Sequence, residues 1–486
     1  KLLKLHGRTT AKMKEKEEYM DQSFRDSIGT IDDDGKRHWI TPKKPSGKYY
    51  NARTWVSVVL LLFLFTGPFI RIDGHPLLLA NILERKFVLL GQVFWPQDFY
   101  IFVLVMLSFV LFVVLFTVVF GRIFCGWVCP QTIFMEMVFR KIEYVIDGDY
   151  KQQQRLKKSD WTAEKVRKRI LKHSIFFVIS FLISNTFLMY IIGSDEWLIL
   201  VTDTPANHIA GLASIILFTG VFYWVFSWFR EQVCIVACPY GRLQGVMLDR
   251  NSIVVAYDYI RGEMRGKFKK NENREETKKG DCIDCNQCVN VCPTGIDIRN
   301  GTQLECVNCT ACIDACDHMM ESVSLPKGLI RYDSEEGIVN KEKKIWSNRT
   351  IAYSVVLTII LSVVGILLVS RTEVDATVLK ATGQEYQKRP DDKVSNLYNY
   401  KIINKTYDSI PAIIQLKDME GEIEIIGTES LIIPPESIAE GTFFLILDMN
   451  QLEQRKTDIE FEIINQNGKL LDDMKTSFLA PVKRKK

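Results

Sequence analysis

Twelve cysteines carry the strongest chemical signal in this 486-residue chain, and none stands alone. They form four groups: Cys125/Cys129, Cys234/Cys238, Cys282/Cys285/Cys288/Cys292 and Cys306/Cys309/Cys312/Cys316. The last two groups share one spacing, C-x-x-C-x-x-C-x-x-x-C, and the earlier of them runs into Pro293. Three thiolates on a tight loop can cap three irons of a cubane, and the fourth must arrive from elsewhere in the chain. Where two such runs lie side by side, the last cysteine of each serves the other cluster. That assigns Cys282, Cys285, Cys288 and Cys316 to one 4Fe–4S cluster, and Cys306, Cys309, Cys312 and Cys292 to a second. Structural zinc would call for two CxxC pairs across a longer loop, which is not the pattern here. A secreted disulfide scaffold would spread its cysteines through outer segments, whereas residues 371–486 have none.

The second run ends in Asp317 where the simple ferredoxin motif has proline. That bears only on the path of the chain after Cys316, since ligation needs just the thiolate. His318 reads as a surface residue. The two remaining groups are copies of one pattern, Cys125-Gly-Trp-Val-Cys129-Pro130 and Cys234-Ile-Val-Ala-Cys238-Pro239. Proline suits the first turn of a helix, and a helix N-terminus favours a thiolate. Cys125, Cys129, Cys234 and Cys238 are therefore expected to meet between helices, as a copper or cluster site or as dithiols that cycle, and are the candidate catalytic residues. Soft thiolates suit Cu(I) and iron–sulfur clusters alike. Four ordinary buried cysteines would be the plainer reading, but the repeated CxxxCP pattern argues against it. Met135, Met137 and Met247 follow these pairs and read as packing rather than as thioether ligands. His75 and His208 lie in predicted outer loops and are not assigned as ligands. No Gly-x-Gly-x-x-Gly after a strand and no phosphate-binding Walker loop is visible, so electrons are expected from a separate donor, a protein or a quinol.

These thiols need a scaffold, and the composition says which kind. Apolar residues make up 47% of the chain while 25% are charged, which requires the two to be segregated into blocks. Five blocks, 55–70, 99–120, 174–192, 209–229 and 350–370, approach the roughly 20 apolar residues that cross a bilayer. The connection 121–173 carries twelve Lys and Arg, residues 71–98 carry three and 193–208 carry none. By the positive-inside rule the N-terminus and both cysteine-bearing connections face the cytoplasm, and the fifth block exports the C-terminus. Residues 1–51 are polar and hold no cleavable signal pattern, and the start at Lys1 rather than Met leads us to expect a short preceding piece. The net charge of +4 is too small to argue for nucleic acid. Beyond residue 371, short β-branched and aromatic runs separated by turn signals, Asn467-Gly468 among them, predict about seven strands in an immunoglobulin-like sandwich. With neither His nor Cys, that domain reads as a docking module.

The expected division is a cytoplasmic N-terminal segment (1–54), a four-helix membrane region with both CxxxCP motifs (55–240), a ferredoxin-like module with two 4Fe–4S clusters (241–349), a fifth membrane helix (350–370) and a periplasmic β-sandwich (371–486). The fold class is thus an α-helical membrane bundle of about five helices, with an inserted two-cluster ferredoxin-like α+β module and a C-terminal all-β immunoglobulin-like domain.

This order of motifs resembles the CcoG/FixG/RdxA family of cytochrome c oxidase accessory proteins. So do the segments Arg71-Ile72-Asp73-Gly74-His75-Pro76 and Phe94-Trp95-Pro96-Gln97-Asp98-Phe99, and the sequence Cys312-Ile313-Asp314-Ala315-Cys316-Asp317. The resemblance extends over nearly the whole chain from about Lys36. It implies a protein of the bacterial inner membrane that reduces Cu(II) to Cu(I) for maturation of a cbb-type oxidase. Its partners would be that oxidase or its copper-loading factors, together with the electron donor. The eight ferredoxin cysteines would hold the clusters, with the CxxxCP cysteines at or near a membrane redox centre. An electron conduit to another membrane redox enzyme, quinol- or ferredoxin-linked, and a non-redox oxidase assembly factor are the alternatives.

Overall fold

The computed structural model describes residues 30, 36–72, 74–81, 86–89, 92–94, 99–269, 272, 274, 276–341, 346–383, 385–390, 392–406, 408–417, 419–427, 431–435, 437–452 and 454–481. Most of the polar N-terminal segment, Asp73 and residues 95–98 of the family-like segments lie outside them, as does the His75 side chain. The described chain divides into two compact units, residues 1–81 with 105–361, and residues 82–104 with 362–486.

Five helices are long and apolar enough to cross a membrane: α1 (Lys48–Phe69), α2 (Phe99–Phe120), α3 (Ala163–Ile192), α4 (Ile209–Phe229) and α5 (Asn348–Val369). They cover all five apolar blocks, and two begin well before the block does. Helix α1 starts at Lys48 because its first free N–H groups have a partner from far along the chain. Tyr49 and Tyr50 donate to the Asp314 carboxylate at 3.2 and 2.8 Å. Such groups have no partner within their own helix. Gly47, at φ 149°, precedes them so closely that a Cβ there would lie 2.3 Å from Asp314 Cγ. Helix α3 starts at Ala163, where the Thr162 hydroxyl accepts from Lys165 N. Its 30 residues amount to about 45 Å, against a hydrocarbon core of roughly 30 Å. The basic run Lys165–Arg169 is therefore helical and continuous with the span.

Within the same unit the ferredoxin-like module is built on an antiparallel pair, Val254–Tyr257 with Ile330–Asp333, in the register Val254↔Asp333. Helix Gln287–Asn290 carries Cys288 of the first run, and helix Ala311–Ser322 carries Cys312 and Cys316 of the second. Val255, Ile283, Ile298, Ile313, Met320 and Ile330 form its core together with cysteines of both runs. The second helix passes straight through Cys316 and Asp317, where proline would have interrupted it. Asp317 instead accepts from Gly328 N at 2.8 Å, tying the helix to the loop before the last strand.

The second unit carries an all-β domain of nine strands: β1 (Val374–Lys380), β2 (Gln387–Lys388), β3 (Lys393–Asn404), β4 (Ile410–Lys417), β5 (Glu422–Ile425), β6 (Leu431–Ile433), β7 (Ile438–Asp448), β8 (Lys456–Asn465) and β9 (Leu470–Leu479). One sheet has the order β5-β7-β3-β1 with β2 also on β3, and the other the order β6-β4-β8-β9. That is more than the seven strands expected, the short β2 and β6 adding to the count. Alternating residues from both sheets meet in the core, where Tyr398, Phe443 and Phe461 stack and Phe478 is fully buried. The expected turn at Asn467-Gly468 joins β8 to β9, with Gly468 at φ 77°.

Candidate functional site

The two ferredoxin runs repeat backbone geometry as well as spacing. Asp284 and Asn286 in the first run, and Asn308 and Thr310 in the second, all have positive φ, from 49° to 66°. They occupy equivalent places, two and four residues after the first cysteine. Left-handed residues at these points curl the chain so that successive N–H groups and thiols converge on a concavity, an arrangement that suits an anionic cluster. Asp and Asn tolerate this conformation, whereas β-branched Thr310 is an outlier; its hydroxyl donates to Cys309 O at 2.6 Å.

The eight thiols lie close enough to influence one another across the two runs. Burial pushes the Cys316 thiol well up, and its next influences are Cys288, Cys282 and Cys285. Burial likewise raises Cys306 to about 12 and Cys309 to about 11, with Cys292 adding to both. Cys292, Cys306, Cys309 and Cys312 also line one small cavity, with Cys288 of the first run in its wall as well. So Cys316 reaches back to the first run and Cys292 across to the second. None of the twelve cysteines is in a disulfide. Buried thiols with raised pKa are poor isolated anions, and a bound metal removes that penalty by deprotonating its ligands outright. Each quartet of soft donors fits a 4Fe–4S cluster.

The CxxxCP pairs also share a local build. Residues before proline are driven out of the helical region, and Cys129 and Cys238 have ψ of 123° and 110°. Their N–H groups bond five residues back, Cys129 to Phe124 O at 2.9 Å and Cys238 to Val233 O at 2.7 Å. Wide π-type turns flank both, at Ile133–Phe139 and Val233–Ala237, a feature frequent at functional sites. The four thiols are near enough to act on one another electrostatically. Burial lifts Cys125 to about 11, with Cys129 and Cys238 adding to it. Burial lifts Cys234 to about 12, with Cys129, Cys125 and Cys238 adding to it. The expectation of stabilised thiolates does not hold for Cys125 and Cys234, because burial and mutual repulsion dominate there. Among the described residues, no three His, Cys, Asp or Glu side chains converge as ligands of a single ion. Thiolates around one tetrahedral ion sit within about 4 Å of each other, while those around a cubane cap different irons and stand further apart. Met135 and Met137 are buried packing residues, His318 is exposed, and His208 pairs with Asp203 at 2.9 Å.

The membrane thiols lie directly against the second ferredoxin run. Cys125 packs against a buried cluster of Val291, Val307, Cys309 and Ala311, which Cys312 also borders. A Cβ on Gly126 would lie 2.5 Å from Val307 O and 2.7 Å from Asn308 O. Arg122 donates to Leu304 O and Cys306 O, and Arg53 of α1 donates to Gly126 O at 2.6 Å. The Trp127 indole donates to Tyr332 Oη at 3.0 Å, and Tyr332 donates on to Asn308 O at 3.2 Å.

Behind the thiols is a buried ion network. Burial would raise the Glu143 carboxyl, but a two-pronged Arg230 bond at 2.8 Å, with Lys172 and Arg140, holds it down at about 2. Lys172 also pairs with Asp147 at 2.5 Å, and Arg140 with Glu136 at 2.8 Å. Removing one partner of such a buried pair typically costs about 3–5 kcal/mol. Sequence reasoning missed Arg53, Arg122, Gly126, Tyr332 and this network. The one available signal was the placement of Arg122 and Arg230 at the ends of apolar blocks. Nothing local in the sequence says where a charge finds its partner.

Comparison with known proteins agrees with these sites. Residues 229–335 match a 4Fe-4S dicluster domain, residues 102–146 a 4Fe-4S binding domain, and residues 364–481 the IG-like fold at the C-terminus of FixG. The chain is 34% identical to protein RdxA of Cereibacter sphaeroides, over 75% of this chain and 79% of that one. It is 34% identical to RdxB of the same organism, over 76% and 80%. It is 38% identical to the nitrogen fixation protein FixG of Rhizobium meliloti, over 61% and 57%.

Gly126→Ala is expected to force two backbones apart, since the atoms it meets are carbonyl groups that cannot rotate away. The expected cost is about 1–3 kcal/mol, read as a lower thermal midpoint of the detergent-solubilised chain. An unchanged midpoint would mean that the contact does not constrain the fold.

Proposed function

The chain belongs to the FixG/RdxA family, and we propose that this membrane iron–sulfur electron-transfer protein reduces Cu(II) to Cu(I) for loading into a cbb-type haem–copper oxidase. The observation that carries the reading is the packing of Cys125 against the buried cluster that contains Cys309, with the backbone of Gly126 directly against Val307 and Asn308. It gathers soft donors and a one-electron module into one place, so that capture and reduction of copper are coupled. Cys282, Cys285, Cys288 and Cys316 hold one 4Fe–4S cluster, and Cys306, Cys309, Cys312 and Cys292 the other. Bound there, the clusters supply one-electron carriers whose potential is set by burial and nearby charge. The protein's own part is to exclude water around the thiols and to fix the distance between the two sites. Cys125, Cys129, Cys234 and Cys238 meet the substrate ion. Cu(I) is the form soft thiolates hold best and needs fewer ligands than the whole quartet.

A second reading is favoured by the match of residues 102–146, which include Cys125 and Cys129, to a 4Fe-4S binding domain. On that reading the CxxxCP quartet is itself a cluster site, and the chain is a conduit to another acceptor. In either case the distribution of Lys and Arg supports a bacterial inner-membrane protein with its N-terminus and ferredoxin module cytoplasmic and its β-domain periplasmic. There the β-domain would dock the oxidase or its copper-loading factors.

Three outcomes test the proposal. With clusters reduced anaerobically, added Cu(II) should yield Cu(I), trapped by a chromogenic chelator, in step with cluster oxidation. Replacing Cys125, Cys129, Cys234 and Cys238 by serine should cut that rate at least tenfold; no Cu(I) from the native chain would put the conduit first. Cys316→Ser should perturb the paramagnetic signal of the first-run cluster, and Cys292→Ser that of the second; the reverse pattern would refute the crossed ligation. Alkaline phosphatase fused after residue 481 should be active in intact cells, and inactivity would reverse the topology.

A further inference from the structure

A cavity of about 450 Å³ opens at the end of α3 and α4 nearest the thiol sites, within the volume range of small-molecule sites. Its walls include His173 and Phe176 of α3, Ser227 and Trp228 of α4, and Trp39 from the N-terminal segment. These supply flat aromatic and apolar surface. Its polar side is unusual. Arg140 is 1% exposed and Asp147 6%, and both line the cavity, yet Arg140 Nε and Asp147 Oδ1 have no hydrogen-bond partner. Buried polar groups are almost always paired, so a donor and an acceptor left over in one cavity point to a ligand that offers both.

Arg230 also lines this cavity, and it lines a second, small one together with Cys234 and Pro293, the residue after Cys292. The cavity is thus one side chain away from the thiol centres. Of the cations in its wall, Lys172 and Arg230 are already paired with Asp147 and Glu143, while Lys157 and Arg169 would also suit an anionic lipid headgroup, which is the competing occupant. A quinol fits better. Its hydroxyl can donate to Asp147 Oδ1, its oxidised carbonyl can accept from Arg140 Nε, and its ring can lie among Trp228, Trp39 and Phe176.

We infer that this cavity binds a membrane quinol, the electron donor to the chain. The inference rests on the electron-transfer reading above and names its reductant. With Cu(II) as oxidant the balance is one quinol and two Cu(II) giving one quinone, two Cu(I) and two protons. Both quinol O–H bonds break and the ring gives up two electrons. One proton goes to Asp147 Oδ1. The other goes to Nε2 of His173, in the tautomer whose Nδ1–H donates to Tyr223 Oη at 2.9 Å and whose Nε2 lone pair is therefore free.

The test is photolabelling of the full, cluster-loaded chain in detergent with an azido-substituted short-chain ubiquinone. Label is expected in residues 39–42, 140–157, 169–176 and 227–230, and unlabelled ubiquinone should compete it away. Asp147→Asn keeps an acceptor for Lys172 and should weaken competition about tenfold, the effect of one lost charge-assisted hydrogen bond. Ser227→Phe fills the cavity and should abolish labelling. If one variant fails to retain its clusters, the other decides. Label that is not competed, that falls elsewhere, or that is unchanged in the folded variants overturns the site, as does a tightly retained phospholipid in its place. Competed label without Cu(I) formation would leave the quinol site standing and remove the copper reading. Cu(I) formed from dithionite-reduced protein, without competed label, would do the reverse.

Discussion

The approach of Gly126 to the carbonyls of Val307 and Asn308 is the constraint on which the thiol architecture depends. At that point the segment leaving α2 and the second ferredoxin run touch backbone to backbone, with no room for a side chain. Everything that fixes their relative position converges there. Arg53 ties Gly126 to α1, Arg122 ties the end of α2 to the run, and Trp127 reaches Asn308 through Tyr332. Without this contact the module would be a soluble electron carrier tethered to a membrane protein. With it, Cys125 and Cys309 belong to one packed cluster.

Burying so many thiols has an electrostatic consequence. In the protein alone, burial raises the pKa of Cys125, Cys234, Cys288, Cys306, Cys309, Cys312 and Cys316, and neighbouring thiols raise it further. Such sites are poorly suited to free thiol–disulfide chemistry, which needs an exposed thiolate. They are well suited to a cationic iron–sulfur core that supplies the missing positive charge. Arg299 stands near Cys288, Arg122 near Cys306 and Arg53 near Cys309, each favouring the thiolate. The protein concentrates its ionic pairs in the separate network of Glu143, Arg230, Lys172 and Asp147, where each charge is neutralised by a partner.

The two CxxxCP segments show how little sequence is needed to build a repeated site. In each, proline forces the cysteine before it out of the helix and removes one N–H, and the cysteine N–H bonds five residues back. The result is the same local presentation of sulfur at two distant points of the chain, after α2 and after α4. The C-terminal β-domain is built on different terms. Its core is aromatic and aliphatic, built from residues such as Tyr398, Phe443, Phe461 and Phe478.

How much of this was legible in the residues themselves follows from the range of the forces involved. Apolar blocks, the crossed spacing of the ferredoxin cysteines, the Cys-Pro turns and the Asn467-Gly468 hairpin are local. Hydrophobic length, loop closure and φ/ψ preference act within a few residues, so the sequence by itself determined the five spans, the thiol groups and the β character of the C-terminus. It also pointed to the family. Tertiary structure alone decided that Asp314 would cap α1 and that Glu143 would meet Arg230. It alone placed Gly126 beneath Asn308 and opened a cavity beside Asp147. Each of these joins residues dozens to hundreds of positions apart, and a side chain's type fixes which partner it needs but not where the fold will supply it.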